Sequence, residues 1–232
     1  MALIKLGGGV ADIRGSIAGT VFSKNRYGSY ARNLTVPVNP GSPLQTKIRA
    51  VMGQIRAAWF NQLTQAQREA WATYAANVQV QNRLGESITL TGWNHFARSA
   101  AALVYNDLDI VADAPTDYSL AEQDGTLSIT ASEATQEISV AFDDSLSWVD
   151  EDNAHLLIYA SRPQNPTVNF FKGPYQIAGK ISGNSTTPPT SPTTISAPFE
   201  FEEGQKLFVQ ARIIRADGRL SAPFRVGATA EA

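Results

Sequence analysis

The sequence predicts an α+β multi-domain protein with three successive parts. An extended N-terminal β-arm and a small three-helix domain precede an all-β sandwich of the immunoglobulin or fibronectin type III kind. Apolar residues change near residue 106 from helical steps of three and four to the alternation typical of strands. An acidic stretch that contains a proline lies at this change. The 232 residues also suffice for two domains, since domains cluster at about 100–150 residues.

The formal charge of −2 conceals a difference between the two halves. Residues 1–105 carry 11 basic and 3 acidic side chains, and residues 106–232 carry 8 basic and 18 acidic ones. Such asymmetry indicates modules that face different partners, with nucleic acid among the candidates. With 43% apolar residues the chain is not of the disordered class, and the lack of cysteine excludes disulfides and thiolate metal sites. We expect no membrane span and no export signal.

Residues 1–41 are predicted to form an extended basic arm with a β-hairpin. Short β-prone pieces alternate with glycine there, and the five cations between Lys5 and Arg32 are opposed only by Asp12. Because an isolated hairpin is marginally stable, we expect the arm to bind a partner surface. The residues expected to make that contact are Arg14, Phe22, Lys24, Arg26, Tyr27, Tyr30 and Arg32.

Residues 42–106 are predicted to form three amphipathic helices around one small core. Ser42 followed by Pro43 is typical of a helix start, and Thr64 with Gln67 matches a capping box. The apolar stripe predicted for the first helix consists of Leu44, Ile48, Val51, Ile55 and Trp59. The aromatic residues predicted to form the helical core are Trp59, Trp71, Trp93 and Phe96.

Residues 107–119 are predicted to be an acidic linker, and residues 120–229 a β-sandwich. Seven short strand-like runs in about 110 residues are typical of immunoglobulin-like folds, and the missing Cys–Trp–Cys pattern favours the fibronectin-like variant. Asp217-Gly218 predicts a hairpin between the last two runs. The predicted strands are 126–131, 136–142, 155–160, 168–177, 193–201, 206–216 and 220–227.

The sequence predicts no catalytic residue, no cofactor and no metal site, and hence no enzyme. His95 and His155 are expected in different domains, and neither has another ligand at zinc-site spacing. The acidic loop 143–152 lacks the spaced pattern of a calcium loop, so we expect solvated charges there. Aromatic residues in the second half leave a carbohydrate-binding module open as an alternative. They are Trp148, Tyr159, Phe170, Phe171 and Tyr175.

Four motifs in the first half carry a family resemblance. They are ADIRGSIAGTVFSKNRYG (11–28), VPVNP (36–40), LTQAQREAW (63–71) and LGESITLTGWNHF (84–96). Over roughly residues 7–105 the chain resembles a group of tailed-phage and prophage structural proteins that share these motifs in this order. HLLIYA (155–160) and LFVQARIIRADGRLSAPFRVG (207–227) are similar to the immunoglobulin-like tail domain of related phage-encoded families.

The resemblance implies a virion component that is assembled in the host cytoplasm. We expect a capsid-associated decoration or minor head protein, anchored by its arm and helical domain to the major capsid protein or other virion subunits. It would be a homo-oligomer in the particle, without a membrane partner. A head–tail connector or tail-associated protein stays open, as does a DNA-binding protein that uses the basic half.

Overall fold

A computed structural model describes residues 2–82 and 84–232 of the chain. Over these residues the chain forms a small N-terminal sheet, a layer of three helices with a two-stranded ribbon, and one large sheet. None of the helices in these two ranges is long and apolar enough to cross a membrane.

The N-terminal sheet, here called the basic sheet, has four antiparallel strands in the order β1-β4-β3-β2. Ala18 and Gly19 join β2 to β3 with φ angles of 44° and 81°, the combination of a type I′ turn. No residue of these strands is buried. The predicted extended arm is therefore a folded sheet without a core of its own. Its strands are β1 (Ala2–Ile4), β2 (Gly15–Ile17), β3 (Thr20–Asn25) and β4 (Gly28–Asn33).

The helical layer begins where the sequence predicts. The Ser42 hydroxyl accepts a hydrogen bond from the Gln45 amide at 3.3 Å, and Thr64 and Gln67 form the predicted capping box. Helix α1 continues into a π-helical turn, Ala58–Gln62, before α2 starts. The other elements are α1 (Pro43–Ala57), α2 (Gln65–Asn77), β5 (Gln79–Gln81), β6 (Ser87–Thr89) and α3 (Gly92–Tyr105).

The stripe predicted for α1 is buried only in its second half. Val51 and Ile55 lie in the helical core, whereas Leu44 and Ile48 are exposed. The first turns of α1 border an open cavity, in which Leu44 and Lys47 face Tyr105 and Ile177, so the apolar side chains there stay exposed. This part of the stripe was predicted wrongly.

The large sheet holds seven strands in the order β10-β9-β12-β13-β7-β8-β11. All neighbouring pairs are antiparallel except β13 and β7, which pair in parallel through Ala230 with Ala131 and Glu231 with Ser132. The strands are β7 (Ser128–Ser132), β8 (Glu137–Ala141), β9 (His155–Ala160), β10 (Gln176–Ser182), β11 (Thr193–Ser196), β12 (Lys206–Ile214) and β13 (Phe224–Glu231).

The predicted all-β sandwich of separate sheets is wrong. Strand β13 pairs with β12 along most of its length and with β7 at its end, so hydrogen bonds unite all seven strands in one mixed sheet. The sheet curls until its outer strands meet, because a β-carbon on Gly179 of β10 would lie 2.8 Å from Ile195 of β11. Alternating strands bury the same inner side chains in a sandwich and in a curled sheet, so the pattern could not distinguish them.

The predicted strand 168–177 is also wrong. Residues 161–175 form a long loop, and β10 begins at Gln176. Pro174 lacks the amide that a ladder needs and restricts the residue before it. The aromatic residues that made this run look like a strand contact each other within the loop instead.

The helices do not form a layer separate from the sheet. Ala102 and Leu103 of α3 contact Leu157, Ile214 and Leu220 on the outer face of the large sheet. The predicted linker lies along this junction, where the Trp71 indole donates to the Ala112 carbonyl at 2.9 Å. The Tyr74 hydroxyl donates similarly to the Ser119 carbonyl at 3.0 Å. The helices and the large sheet therefore share buried surface.

Candidate interaction surface

The basic sheet carries the predicted partner-binding residues on two opposite faces. Directly paired residues share a face, and the register pairs Phe22 with Ala31 and Val21 with Arg32. Phe22 and Lys24 thus lie on one face, and Tyr30 and Arg32 on the other. The structure does not bring the predicted set together at one contact. Phe22, Tyr27 and Tyr30 are half-buried, and Arg14, Lys24, Arg26 and Arg32 are exposed.

Three cations of the basic sheet have no acidic partner in the described residues. Arg14 pairs with Asp12 at 2.8 Å, and Lys5 pairs with Glu86. Lys24, Arg26 and Arg32 have no carboxylate within 4.0 Å in the described ranges, which leaves their charges available to an acidic surface or to phosphate. They lie on β3, on β4 and in the turn between them.

One predicted contact residue is used inside the chain. The Asn94 amide at the start of α3 donates a hydrogen bond of 2.8 Å to the Tyr27 hydroxyl. Together with the Lys5–Glu86 ion pair, this bond fixes the basic sheet against the helical layer. Tyr27 and Asn94 both belong to motifs of the phage resemblance, so the two motifs meet in space.

Three strongly exposed apolar residues follow the basic sheet directly, and Val36 and Val38 are the two most exposed large apolar residues of the described chain. Leu34, Val36 and Val38 are 62%, 88% and 82% exposed and alternate along an extended stretch, here called the apolar segment (residues 34–38). Sequence reasoning missed them as contact residues, although their alternation was the available signal. Exposed apolar groups of this size in a cluster are typical of protein–protein contacts.

A second apolar stripe follows on α1. Leu44, Ile48 and Met52 recur at steps of four and are all exposed, so they form one line along the helix. The apolar segment and this stripe are separated by only five residues of the chain, and the apolar side chains of both are exposed. A folded monomer leaves these side chains in water, which favours a partner that covers them.

The predicted helical core is divided between buried and half-buried rings. Trp71 and Phe96 are buried, with ring centroids 5.5 Å apart, whereas Trp59 and Trp93 are half-buried at the edge of the cluster. Trp59 and Trp93 contact each other edge to face at 5.5 Å. These rings pack the π-helical turn, α2 and α3 against one another.

The histidines and acidic loops form no cluster in the structure. His95 is buried among helices, and burial together with the nearby Arg98 lowers its pKa to about 4. His155 lies in β9, with Nδ1 2.9 Å from the Ser182 hydroxyl. Asp143 and Asp152 accept hydrogen bonds from Ser145 and Ser185, which lower the pKa of both carboxyls. Residues 2–82 and 84–232 contain no group of three or more potential metal ligands.

The aromatic residues of the carbohydrate alternative separate into two kinds. Trp148 is fully buried in the core of the large sheet, and the Tyr159 hydroxyl accepts a hydrogen bond from Asn106 at 3.1 Å. Phe170, Phe171 and Tyr175 lie instead in the loop before β10, at the surface. Only these three are placed where a ligand has access.

Comparison with known proteins gives little similarity. No family model matches the chain, and no curated protein matches it. Among solved structures, a family 76 glycoside hydrolase from a bovine Bacteroides thetaiotaomicron strain is similar to 47% of this chain, with 15% identity and a TM-score of 0.32. The match covers 20% of that hydrolase chain. Similarity at this level defines neither a fold nor an activity for the present chain.

Proposed function

We propose that this protein is a non-enzymatic structural component of a tailed-phage virion, specifically a capsid-associated decoration or minor head protein. The observation that carries the proposal is the uncovered apolar segment, in which Val36 is 88% exposed beside the cationic basic sheet. The four ordered motifs of residues 7–105 support a virion setting through their resemblance to phage structural proteins. A chain that leaves such a surface in water gains stability when a neighbouring subunit covers it.

The attachment that we propose uses the backbone as well as the side chains. Residues 34–38 form no helix, strand or turn in the isolated chain. When this segment pairs as a strand through Leu34, Val36 and Val38, the missing amide of Pro37 lies on the opposite side and costs no hydrogen bond. Strand addition to the sheet edge of a neighbouring subunit would satisfy the backbone. Lys24, Arg26 and Arg32 would set the register against an acidic surface.

The protein inventory of purified particles tests the virion setting. Particles from the host that encodes the chain, purified through a density gradient, are digested and identified by mass spectrometry. We expect the chain to be present at a constant ratio to the major capsid protein. Its absence from particles whose other subunits are all detected would contradict the proposal.

A DNA-binding protein is the second candidate, and the three unpaired cations of the basic sheet favour it. DNA retention by the full chain at 50 and 200 mM salt distinguishes the two. A protein that neutralises about six phosphates loses roughly a thousandfold in affinity over this range. Under the virion proposal we expect negligible retention already at 50 mM salt, with no preference of the wild type over the Lys24→Gln/Arg26→Gln/Arg32→Gln variant. Strong retention of the wild type at 50 mM that is lost in the variant and at 200 mM would favour DNA binding.

A further inference from the structure

The loop between β9 and β10 is long, and its aromatic residues contact each other and the large sheet. It spans residues 161–175 and contains no helix and no strand of the large sheet. Loops of this length without secondary structure are uncommon and are frequently functional. Its most exposed large apolar side chain is Phe170, at 70%. This ring has no covering element, although its neighbours in the loop are well packed.

The neighbours of Phe170 form a stack of rings on the large sheet. Gly227 faces Phe208 across β13 and β12, and a β-carbon at 227 would lie 2.9 Å from the Phe208 ring, so glycine makes room for it. Phe171 stacks on Phe208 at a centroid distance of 5.9 Å and an angle of 20°. Tyr175 contacts Phe171 edge to face at 5.3 Å, and its hydroxyl donates to the Phe171 carbonyl at 2.9 Å. These contacts pack the rings of the platform against β12 and β13.

Cations and amides border this platform. The Arg225 guanidinium lies 5.9 Å from the Tyr175 ring centroid and is held by two 3.1 Å bonds to the Gln210 side-chain oxygen. Lys206 lies 5.7 Å from the Phe208 centroid and 3.4 Å from the Asn169 side-chain oxygen. Neither cation has a carboxylate within 4.0 Å in the described part of the chain. This local positive charge contrasts with the surrounding half of the chain, because residues 106–232 carry ten more acidic than basic side chains.

The rings, Asn169 and Arg225 line a small open cavity of about 180 Å³, here called the aromatic–cationic pocket. The side chains that matter for binding are Asn169, Phe170, Phe171, Tyr175, Phe208 and Arg225. Pockets for drug-sized ligands are larger, about 300–1,000 Å³. The volume therefore suits one ring of a ligand, with the remainder of the molecule in solvent.

We propose that the aromatic–cationic pocket binds a sugar ring that carries one anionic group. The apolar face of the sugar would lie on Phe170, as amphipathic ligands lie on exposed aromatic rings. Its carboxylate, phosphate or sulfate would accept charge-assisted hydrogen bonds from Arg225. Lys206, which contacts Asn169 of the pocket lining, adds positive charge nearby. This inference does not depend on the virion proposal.

Two features disfavour a single-stranded nucleic acid as the ligand. Such strands are bound by successive stacking rings along a groove, whereas this pocket presents one exposed ring over a single-ring cavity. The acidic excess of the surrounding half also repels a polyanion more strongly than a ligand with one charge. A singly charged sugar meets the local cations without bringing many charges into the acidic field.

Ligand-observed NMR titration of the full chain tests the proposal. The probes are glucuronate and glucose 6-phosphate, compared with glucose and an oligothymidylate. Variants Phe170→Ala and Arg225→Gln remove the exposed ring and the cation, and Phe60→Ala is the control because it removes an equally accessible ring from the helical layer. All three residues are exposed, so the variants are expected to fold.

We expect at least one anionic sugar to bind about tenfold more tightly than glucose, since a charge-assisted bond outweighs a neutral one. Phe170→Ala and Arg225→Gln should each weaken that binding by about tenfold, while Phe60→Ala leaves it within about twofold. Equal binding of glucose, unchanged affinity in either pocket variant, or tighter binding of the oligothymidylate would overturn the proposal. So would the absence of binding by both anionic sugars at about 50 mM.

Discussion

At the scale of single residues, polar side chains without acidic partners are buried where the helices meet the large sheet. Arg98 donates hydrogen bonds of 2.8 Å to the carbonyls of Leu220 and Ser221, and burial with the nearby Arg212 lowers its pKa to about 10. Burial also raises the pKa of Tyr74 to about 12. Backbone carbonyls thus hold the Arg98 charge where a carboxylate often does so elsewhere, and each such bond links α3 to the segment between β12 and β13.

Trp71 is expected to contribute more to stability than Trp93. Trp71 is 1% exposed, and its replacement removes both its packing and its hydrogen bond to the Ala112 carbonyl. Trp93 is half-buried, so its replacement removes less packing. Trp71→Ala should lower the free energy of unfolding by about 3–5 kcal/mol, the usual range for a buried aromatic residue. Urea unfolding followed by circular dichroism measures both variants. If Trp71→Ala and the wild type unfolded at the same urea concentration, the assignment of Trp71 to the helical core would be wrong.

His95 is expected to make stability depend on pH. Burial lowers its pKa from 6.5 to about 4, so below pH 6.5 the unfolded chain binds a proton that the folded chain does not. Stability is therefore fully present above pH 6.5 and falls as the pH decreases, by about 2 kcal/mol between pH 7 and 5 from this group. His95→Gln should remove that part of the decrease in urea unfolding. An unchanged pH dependence in the variant would contradict the burial of a neutral imidazole.

At the scale of secondary-structure elements, the starts of two helices were predicted correctly from the sequence, whereas the pairing of the strands was not. The Ser42 and Thr64 side chains accept hydrogen bonds from backbone amides three residues later in the chain, so their capping role can be predicted from local sequence spacing. The pairing of Ala230 with Ala131 joins residues a hundred positions apart, and no local pattern encodes it. Burial depends on distant partners as well. Leu44 and Ile55 belong to one periodic stripe, and only the packing of α3 decides which is covered.

Helix α1 offers a matched pair of substitutions within one stripe. Ile48 is exposed and Ile55 is fully buried, so the same change tests covered and uncovered positions of one helix. Ile55→Ser should lower the free energy of unfolding by more than about 3 kcal/mol, because it removes packing and buries a hydroxyl. Ile48→Ser should change it by less than about 0.5 kcal/mol in the isolated chain. A similar loss for both variants in urea unfolding would mean that the exposed stripe is covered in the monomer.

At the scale of the whole molecule, the net charge of −2 is the sum of two unlike surfaces. The basic sheet and the apolar segment lie at one end of the chain, whereas acidic side chains predominate in the half that forms the large sheet. The family resemblance was carried by residues 7–105, and these residues hold the uncovered surface. The cations were evident from the sequence. The apolar segment emerged only when the fold left Leu34, Val36 and Val38 without a partner.

The central claim is that the apolar segment attaches the protein to a particle, and incorporation of a variant tests it most directly. Particles are grown with the wild type, with Val36→Ser/Val38→Ser, or with Tyr118→Ser, which changes an exposed residue outside the attachment surface. The copy number relative to the major capsid protein is measured by mass spectrometry. We expect the double variant to fall by about tenfold or more, as loss of a buried apolar contact predicts, while Tyr118→Ser matches the wild type. Incorporation of the double variant at the wild-type level would contradict the account.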